Sequence, residues 1–173
     1  STASINFILA VDLFLKENNI SLDNIDCIAV GIGPGSYTGL RVSTCFANAI
    51  SYAKKIPIIC FSSLSSYRPK KELDFIVAYD AKMGGVYYTV ATFDNNQISY
   101  SETKKQNIEK ASTSFEKISF VISPHKEELK KRFTSEKINW QDLDIDTLHL
   151  ANMIYEMYEK KLFSKIPITP IYQ

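Results

Sequence analysis

Four of the chain's six glycines lie within the stretch GIGPGSYTGLR at residues 31–41, between a predicted strand and a predicted helix. Such a turn presents backbone N–H groups and the positive end of a helix dipole to an anion, so phosphate binding is the first chemistry to consider. No lysine follows Gly39 as in a phosphate loop, however, and Pro34 has no N–H to donate. Nucleotide binding therefore stays an alternative to a tight corner in which Ser36 or Thr38 caps the helix.

The other patterns that carry chemistry are incomplete. A hydrolase nucleophile elbow needs glycines two residues before and after Ser36, where this chain has Pro34 and Thr38. The two histidines are isolated, and no H-x-x-x-H, H-E-x-x-H or C-x-x-C spacing occurs, which argues against a zinc site. Asp80 ends a predicted strand, where it either takes part in chemistry or caps the turn that contains Gly84 and Gly85.

The composition is that of an ordinary globular protein. The chain has 173 residues, 45% of them hydrophobic and 23% charged, enough for one domain or one and a half smaller units. Its net charge is +1, and its basic residues are scattered, which argues against a dedicated nucleic-acid-binding protein.

The cysteine pattern favours the cytoplasm. Cys27, Cys45 and Cys60 make an odd number, and each has apolar neighbours, so we expect buried reduced thiols rather than disulfides or metal ligands. No apolar run approaches the ~20 residues that cross a bilayer, and no signal peptide is recognisable. We therefore expect a cytoplasmic protein without a membrane partner.

The first predicted helix is unusually apolar. It is expected to begin at an N-cap, Ser4, and to end near Asn18. At about 100° per residue, its apolar positions cover more than the single stripe of a surface helix. They are Ile5, Phe7, Ile8, Leu9, Val11, Leu13, Phe14 and Leu15. We expect this helix to be buried on two sides, one of them against a partner.

A strand–helix–strand unit follows. Residues 25–32 and 56–61 are short β-branched apolar runs, typical of buried parallel strands, and residues 38–54 are expected to be a helix. Small residues are frequent in this helix and would let another helix approach closely. They are Gly39, Ser43, Ala47, Ala49 and Ala53.

The rest of the chain completes an α/β fold with a mixed sheet. Residues 73–80, 85–93 and 97–102 are expected to form a β-meander, and residues 118–123 a further strand. A short charged helix is expected at 125–133, and a long amphipathic helix at 146–163.

Three segments resemble the bacterial TsaB family, whose older name is YeaZ. The segment IDCIAVGIGPGSYTGLR is similar to the family's strand and its G-P-G-S-[FY]-T-G-L-R turn. VAYDAKMGGVYYTVATF is similar to its D-A-R-x-x-E-V-Y strand–turn–strand, and the terminal ITPIYQ to its closing P-x-Y. The resemblance spans most of the chain and is weakest between about residues 102 and 145.

The resemblance implies an actin/Hsp70/sugar-kinase-like fold, which belongs to the ribonuclease H-like class. It suggests an N-terminal lobe at 1–68 and a second lobe with the meander and the last helix at 69–173. TsaB proteins are partners of TsaD, the subunit that attaches a threonylcarbamoyl group to a tRNA adenosine. Like TsaB, this chain lacks the metal-binding histidine pair of TsaD. The implied role is a non-catalytic scaffold, an inactive paralogue.

The resemblance also implies how the chain assembles. The two early helices of the family pack on those of TsaD, and a TsaE-like ATPase joins the same assembly. ATP and metal are then expected on the partner subunits and no cofactor on this chain alone. We expect tRNA to be reached only through the complex, and a homodimer to form when the partner is absent.

This interpretation assigns roles to two groups of residues. The turn aims the second helix off the sheet, with Gly33 and Gly35 reversing the chain, Pro34 stiffening it and Thr38 capping the helix. The structural turn is Gly33, Pro34, Gly35, Ser36, Thr38 and Gly39. The expected partner interface is Phe7, Val11, Phe14, Arg41, Val42, Cys45, Phe46 and Ala49. Arg41 either reaches an acidic group of the partner or pairs locally.

The chain departs from the family pattern at several positions. Lys82 and Gly85 replace the arginine and glutamate of D-A-R-x-x-E, so a forked guanidinium contact by that arginine is lost. Gln173 stands where the family ends in arginine. The family also opens with strands before the first helix, whereas this chain starts at about that helix, which indicates that those N-terminal strands are missing here.

Two alternatives to the scaffold remain open from the sequence. One is a nucleotide-binding enzyme of the same superfamily that uses GPGSYTG as its phosphate loop. The other, which the absent histidine pair argues against, is a glycoprotease-like peptidase.

Overall fold

The chain folds into two compact units in a computed structural model that describes residues 2–69, 72–95, 97–141 and 144–171. The first unit holds residues up to 61 together with those from 151 onward, and the second holds residues 62–150. The expected second lobe, residues 69–173, included this whole C-terminal region. The structure differs because Ile168 is buried in the core of the first unit, with Val30, Ala47 and Ile58.

The elements are as follows in chain order. The helices are α1 (Thr2–Glu17), α2 (Tyr37–Lys54), α3 (Ile108–Lys117), α4 (Lys126–Lys130) and α5 (Thr147–Glu159). The strands are β1 (Ile28–Gly31), β2 (Ile58–Phe61), β3 (Tyr67–Arg68), β4 (Phe75–Asp80), β5 (Gly85–Asp94), β6 (Gln97–Tyr100), β7 (Lys104–Asn107), β8 (Phe120–Ile122), β9 (Asn139–Gln141) and β10 (Asp144–Ile145). Short 3-10 turns span Leu22–Asn24 and Ser63–Ser66.

The first unit is built on the predicted strand–helix–strand unit. Strands β1 and β2 pair in parallel, with Ile28 opposite Ile58 and Gly31 opposite Phe61, which confirms the parallel pair. Helix α2 joins them and buries one narrow face, formed by Leu40, Thr44, Ala47 and Ser51. Because these positions recur every three or four residues, they lie on one side of the helix.

Two of these buried residues of α2 are polar, and each finds a partner. The Thr44 hydroxyl donates to the Leu40 carbonyl at 2.7 Å, and the Ser51 hydroxyl donates to the Ile56 carbonyl at 2.7 Å. A buried hydroxyl that is hydrogen-bonded avoids most of the cost of leaving water. The helix can therefore lie against the strands through small side chains.

Helix α1 contradicts two expectations. It begins at Thr2, so Ser4 lies inside the helix and is not its N-cap. Within residues 6–17, where side chains are described, no residue of α1 is buried, so the side that was expected to lie in the chain's own core is not fully covered. The apolar pattern identified the helix correctly, but a pattern cannot tell whether an apolar face is covered within the chain.

The C-terminal segment closes the first unit through one asparagine. The Asn48 side chain on α2 donates to the Ile168 carbonyl at 2.8 Å and accepts from the Ile168 N–H at 2.9 Å. Next to this pair, the Ser164 N–H donates to the Ile58 carbonyl, and the Ile171 N–H donates to the Ile32 carbonyl. The returning chain is thus held to α2 by the Asn48 side chain. Backbone hydrogen bonds hold it to β2 and to Ile32, the residue after β1.

The second unit contains the mixed sheet that the sequence predicts. Its strand order is β6–β5–β4–β8–β9, and β7 pairs with the first half of β5, on the edge whose second half pairs with β6. The β4–β5–β6 meander is antiparallel, whereas β8 is parallel to both β4 and β9.

The sheet of the second unit separates two apolar clusters. Along β4, Ile76 and Ala78 belong to one cluster, with Phe115 of α3, while Phe75 and Val77 belong to the other, with Leu64. This alternation follows from the two-residue period of a strand, which directs successive side chains to opposite faces.

In the described part of the chain, no helix is long and apolar enough to cross a membrane.

The asparagine link yields a first prediction. Replacing Asn48 by Ala should destabilise the protein by about 2 kcal/mol, because it leaves the N–H and the carbonyl of the buried Ile168 without their partners. Thermal unfolding followed by circular dichroism measures the effect.

A matched control is Asn18→Ala, because the Asn18 amide donates to the exposed Phe14 carbonyl, which water can satisfy. This variant should change stability by less than about 0.5 kcal/mol. Equal destabilisation by both variants would contradict the role assigned to Asn48.

Candidate functional site

The glycine-rich turn between β1 and α2 is a tight corner. Gly33 has φ +124°, a conformation that residues with a side chain rarely adopt, and a cis peptide bond joins it to Pro34. Ser36, and not Thr38 as expected, caps α2: its hydroxyl accepts from the Gly39 N–H at 3.4 Å. The physical reason is that α2 begins at Tyr37, one residue before the predicted start, which makes Thr38 part of its first turn.

The turn is also closely packed. A Cβ atom on Gly33 would lie 3.3 Å from both the Ile171 carbonyl oxygen and the Leu40 side chain. A Cβ atom on Gly35 would lie 3.4 Å from Leu40. Glycine at 33 is therefore explained by backbone conformation and by the close approach of the C-terminal segment, without invoking a ligand.

The residues that were weighed for catalysis are engaged in structural contacts. The Asp80 N–H donates to Nδ1 of His125 at 3.2 Å, and the His149 ring lies 3.0 Å from the Tyr100 hydroxyl. Burial raises the pKa of Tyr100, which keeps this hydroxyl protonated. Among the described residues, no group of three or more His, Cys, Asp or Glu side chains could hold a metal ion.

Asp80 has the turn-capping role that was one of its two alternatives. Its carboxylate accepts from the Lys82 N–H at 2.8 Å and pairs with the guanidinium of Arg132 at 2.5 Å. The same guanidinium donates to the Gly85 carbonyl at 3.1 Å. Although Lys82 replaces the arginine of the family pattern, Arg132 supplies a forked cationic contact to this turn. This partner could not be predicted from the sequence, because residues 80 and 132 are far apart in the chain.

An uncovered apolar surface of the first unit lies on α1. Five large side chains of this helix are 36–58% exposed: Phe7, Ile8, Leu9, Leu13 and Phe14. The helix touches α2, where the rings of Phe7 and Phe46 meet edge to face at 5.4 Å between centroids. An apolar helix face left in water favours association with another surface.

The expected interface residues fall into two groups. Phe7 and Phe46 contact each other within the chain, and Val11 and Val42 are half-buried. The remaining four, Phe14, Arg41, Cys45 and Ala49, are exposed. We call the exposed apolar side of α1 and this outer side of α2 the docking face, defined by Phe14, Arg41, Cys45 and Ala49.

Arg41 makes a local contact within this chain, with an aromatic side chain rather than with an acidic group. Its guanidinium donates to the Tyr37 hydroxyl at 3.0 Å and lies 5.3 Å from the centre of that ring. Both side chains are exposed, so this contact competes with water and is weak. The guanidinium is therefore held along the helix surface but is not buried.

The cysteines differ from the expectation of three buried thiols. All three are free, but Cys45 is exposed on the outer side of α2, while Cys27 and Cys60 are half-buried. Burial raises the pKa of both half-buried thiols, and the Ser164 hydroxyl partly offsets this effect at Cys60. The prediction of a buried thiol is wrong at Cys45. Its sequence neighbours are apolar, but adjacent residues of a helix point in different directions.

Comparisons with known proteins agree on one family. The family model described as "TsaD: tRNA N6-adenosine threonylcarbamoyltransferase" matches residues 3–159. The chain is 30% identical over 139 residues to the tRNA threonylcarbamoyladenosine biosynthesis protein TsaB of Buchnera aphidicola from Acyrthosiphon pisum, a match that covers 75% of this chain and 59% of that protein. It is 32% identical over 93 residues to the TsaB of Escherichia coli K12, covering 51% of this chain and 40% of that protein.

The solved structures agree on the fold. YeaZ from Pseudomonas aeruginosa superposes with a TM-score of 0.80 at 18% identity, covering 98% of this chain and 84% of that one. At this identity the likeness concerns the fold alone, and with the family match it confirms the predicted actin/Hsp70/sugar-kinase-like class. The matches to the two TsaB proteins span less than two thirds of their length.

The turn yields a prediction with a matched pair of substitutions. Gly33→Ala should destabilise the protein by about 1–3 kcal/mol, because alanine is strained at φ +124° and its Cβ is crowded. Gly39→Ala should be neutral or stabilising by up to about 1 kcal/mol, because Gly39 is helical and its added Cβ meets only ordinary contacts. Urea unfolding of both variants measures the difference, and equal effects would contradict this description of the corner.

Proposed function

The chain belongs to the TsaB (YeaZ) branch of the family that includes the tRNA N6-adenosine threonylcarbamoyltransferases (TsaD), and from this membership we propose that it takes part in tRNA threonylcarbamoyladenosine biosynthesis. Its role there is that of a non-catalytic scaffold. It docks onto a TsaD-like catalytic subunit through α1 and α2.

The exposed apolar side of α1 is the observation that carries this proposal. Fully burying a large apolar side chain contributes about 1.5–3 kcal/mol, so covering five half-exposed ones contributes on the order of 5 kcal/mol. That gain helps to offset the loss of freedom on association. A surface that yields such a gain is suited to a stable subunit contact.

The outer side of α2 can extend the same contact. Cys45 and Ala49 are small and exposed, so a partner helix can come close to the backbone there. Arg41 stands one turn before Cys45, and its weak contact with Tyr37 leaves it able to turn toward a carboxylate of the partner. These features match the expectation that two helices of this chain pack against two of the partner.

The proposal that the chain is non-catalytic rests on the contacts that its polar side chains make within the fold. The Ser36 hydroxyl caps α2, Asp80 is paired with Arg132, and His125 accepts a backbone N–H. Side chains engaged in this way hold the fold and are poorly suited to act as nucleophile or base. ATP and metal are proposed to bind the TsaD-like subunit and a TsaE-like ATPase, and tRNA is contacted through the complex.

The alternatives have less support. A phosphate on the turn would have to compete with the Ser36 hydroxyl for the Gly39 N–H, and Pro34 offers no donor. Titration calorimetry of the isolated chain with ATP, ADP and Mg²⁺ distinguishes the two functions, because micromolar binding would favour the nucleotide-binding enzyme. No observation of the site favours a peptidase.

The docking face yields a prediction for complex formation. Phe14→Glu should weaken binding to the TsaD-like protein of the same organism by about a hundredfold, because a carboxylate would be buried in an apolar contact. The fold should be kept, since Phe14 is already exposed. Co-expression followed by size-exclusion chromatography and calorimetry measures the change.

The control for this experiment is Met83→Glu, which adds the same charge at a fully exposed position in the β4–β5 turn. It should leave the affinity unchanged. Unaltered binding by Phe14→Glu, with both variants folded, would show that the docking face is wrongly assigned. A homodimer of the isolated chain should dissociate in the Phe14→Glu variant as well, if it uses this face.

Cys45 provides an independent footprint of the same contact. N-ethylmaleimide should modify Cys45 of the isolated chain well before the half-buried Cys27 and Cys60, whose raised pKa values keep them as thiols at neutral pH. In the complex, Cys45 should be protected at least tenfold. Mass spectrometry of each cysteine peptide over time measures the rates, and equal rates with and without the partner would exclude contact at α2.

A further inference from the structure

An open apolar cleft lies in the first unit where α2 ends and β2 begins, beside the segment that follows α5. Its volume is about 790 Å³. It is lined by Ser51, Tyr52, Ala53, Lys55, Ile56, Pro57, Ile58, Phe163, Ser164 and Ile166. Ile58 is fully buried beneath it, whereas Tyr52, Phe163 and Ile166 are exposed on its walls.

The polar groups of the cleft are used within the fold. The Ser51 hydroxyl donates to the Ile56 carbonyl, and the Ser164 N–H donates to the Ile58 carbonyl at 2.8 Å. The Ser164 hydroxyl accepts from the Cys60 N–H at 3.1 Å. What the cleft offers to a ligand is therefore mainly the apolar surface of its aromatic and aliphatic side chains.

Three lysines lie in the cleft lining or next to it in sequence. Lys55 lines the cleft, while Lys161 and Lys165 are close in sequence to the lining residues Phe163 and Ile166. All three lysines are exposed, and none forms an ion pair among the described residues. Three acidic side chains of the same unit are already paired with other lysines: Asp12 with Lys16, Asp23 with Lys54 and Glu156 with Lys160.

The positions of two of these lysines are unusual. Lys55 is the residue after the end of α2 and has φ +56°. Lys161 is the second residue after the end of α5 and has φ +53°. Helices commonly end in this left-handed conformation with glycine, which carries no side-chain penalty. Here both positions carry a cation instead. The cleft thus combines an apolar surface with one lining cation, Lys55, and two further lysines in the chain segment that forms its other wall.

We propose that this cleft binds a short segment of a partner protein in which large apolar side chains are flanked by Asp or Glu. The apolar side chains fill the cleft, and the carboxylates lie against Lys55 and Lys165. Because the cleft is open, it covers only one side of its ligand, as expected for a segment whose other side belongs to a larger body. Small-molecule sites instead enclose most of their ligand.

This site shares no residue with the four that define the docking face, although Tyr52 continues the outer side of α2 one turn beyond Ala49. None of the cleft-lining residues is among Phe14, Arg41, Cys45 and Ala49. The chain's net charge of +1 is too small to attract an acidic peptide from a distance, so any preference for acidic flanks must come from local lysines. A failure of this proposal therefore leaves the proposed function intact, and the reverse also holds.

The test uses the full chain and three fluorescein-labelled hexapeptides, followed by fluorescence anisotropy. The peptide Asp-Glu-Leu-Phe-Asp-Glu should bind at least tenfold more tightly than Lys-Lys-Leu-Phe-Lys-Lys or Asp-Glu-Ser-Ser-Asp-Glu. Its affinity should fall as NaCl is raised from low to high concentration, because the contacts between charges are exposed to solvent.

Charge-reversal variants locate the binding site. Lys55→Glu combined with Lys165→Glu should weaken binding about tenfold, consistent with solvent-exposed contacts of a few tenths to 1 kcal/mol each that become repulsive. Lys110→Glu combined with Lys117→Glu makes the same change in net charge on α3 and should leave the affinity nearly unchanged. Phe14→Glu should also retain binding.

Chemical shifts of the ¹⁵N-labelled chain provide the second measurement, and the amides of Tyr52, Ile56 and Ser164 should move on adding the acidic peptide. Equal affinity of the two double variants, or shifts confined to other residues, overturns the proposal. Displacement of the peptide by an equimolar amount of sodium dodecanoate also overturns it, because an isolated amphiphile would then suffice. The proposal is also overturned if the chain self-associates and the Lys55→Glu, Lys165→Glu variant does not, because a second copy would then occupy the cleft.

Discussion

The packing of α2 against the parallel β1–β2 pair is the constraint on which the rest of the first unit depends. Leu40, Thr44, Ala47 and Ser51 form a narrow buried face, and this face fixes how the helix is rotated. The tight corner at Gly33 leads the chain into that position, and Asn48 holds the returning C-terminal segment from the side. Because the inner face is fixed, the direction of the outer face is fixed as well, and α1 has its place against Phe46.

The same constraint explains why the glycine-rich turn resembles a phosphate loop without offering what such a loop needs. A strand that enters a helix through a sharp corner requires glycine and a capping hydroxyl, whether or not an anion binds there. In this chain the hydroxyl of Ser36 and the space beside Gly33 are both occupied by the protein. The exposed apolar side of α1 is then the more informative feature for function, because the stability of the isolated chain does not explain it.

Much of the fold follows from the sequence, and the misses have physical reasons. The parallel pair, the meander, α2 and α5 were predicted from strong apolar periodicity and from turn residues. Helix α3 was missed because only Ala111 and Phe115 of its ten residues are buried, and the two- and three-residue strands β3, β9 and β10 are too short to show a period. Contacts between distant residues, such as Asp80 with Arg132, leave no local pattern. The cleft was missed for the same reason, since its walls come from segments about a hundred residues apart.

The discontinuity of the first unit has a consequence for biosynthesis. Residues 62–150 form an uninterrupted segment, so the second unit can acquire its structure on the ribosome as soon as that segment has emerged. The core around Val30, Ala47 and Ile58 must wait, because Ile168, which completes it, is synthesised after the whole of the second unit. During translation, the apolar helix α1 and an unfinished core are therefore exposed together, which favours aggregation of the nascent chain.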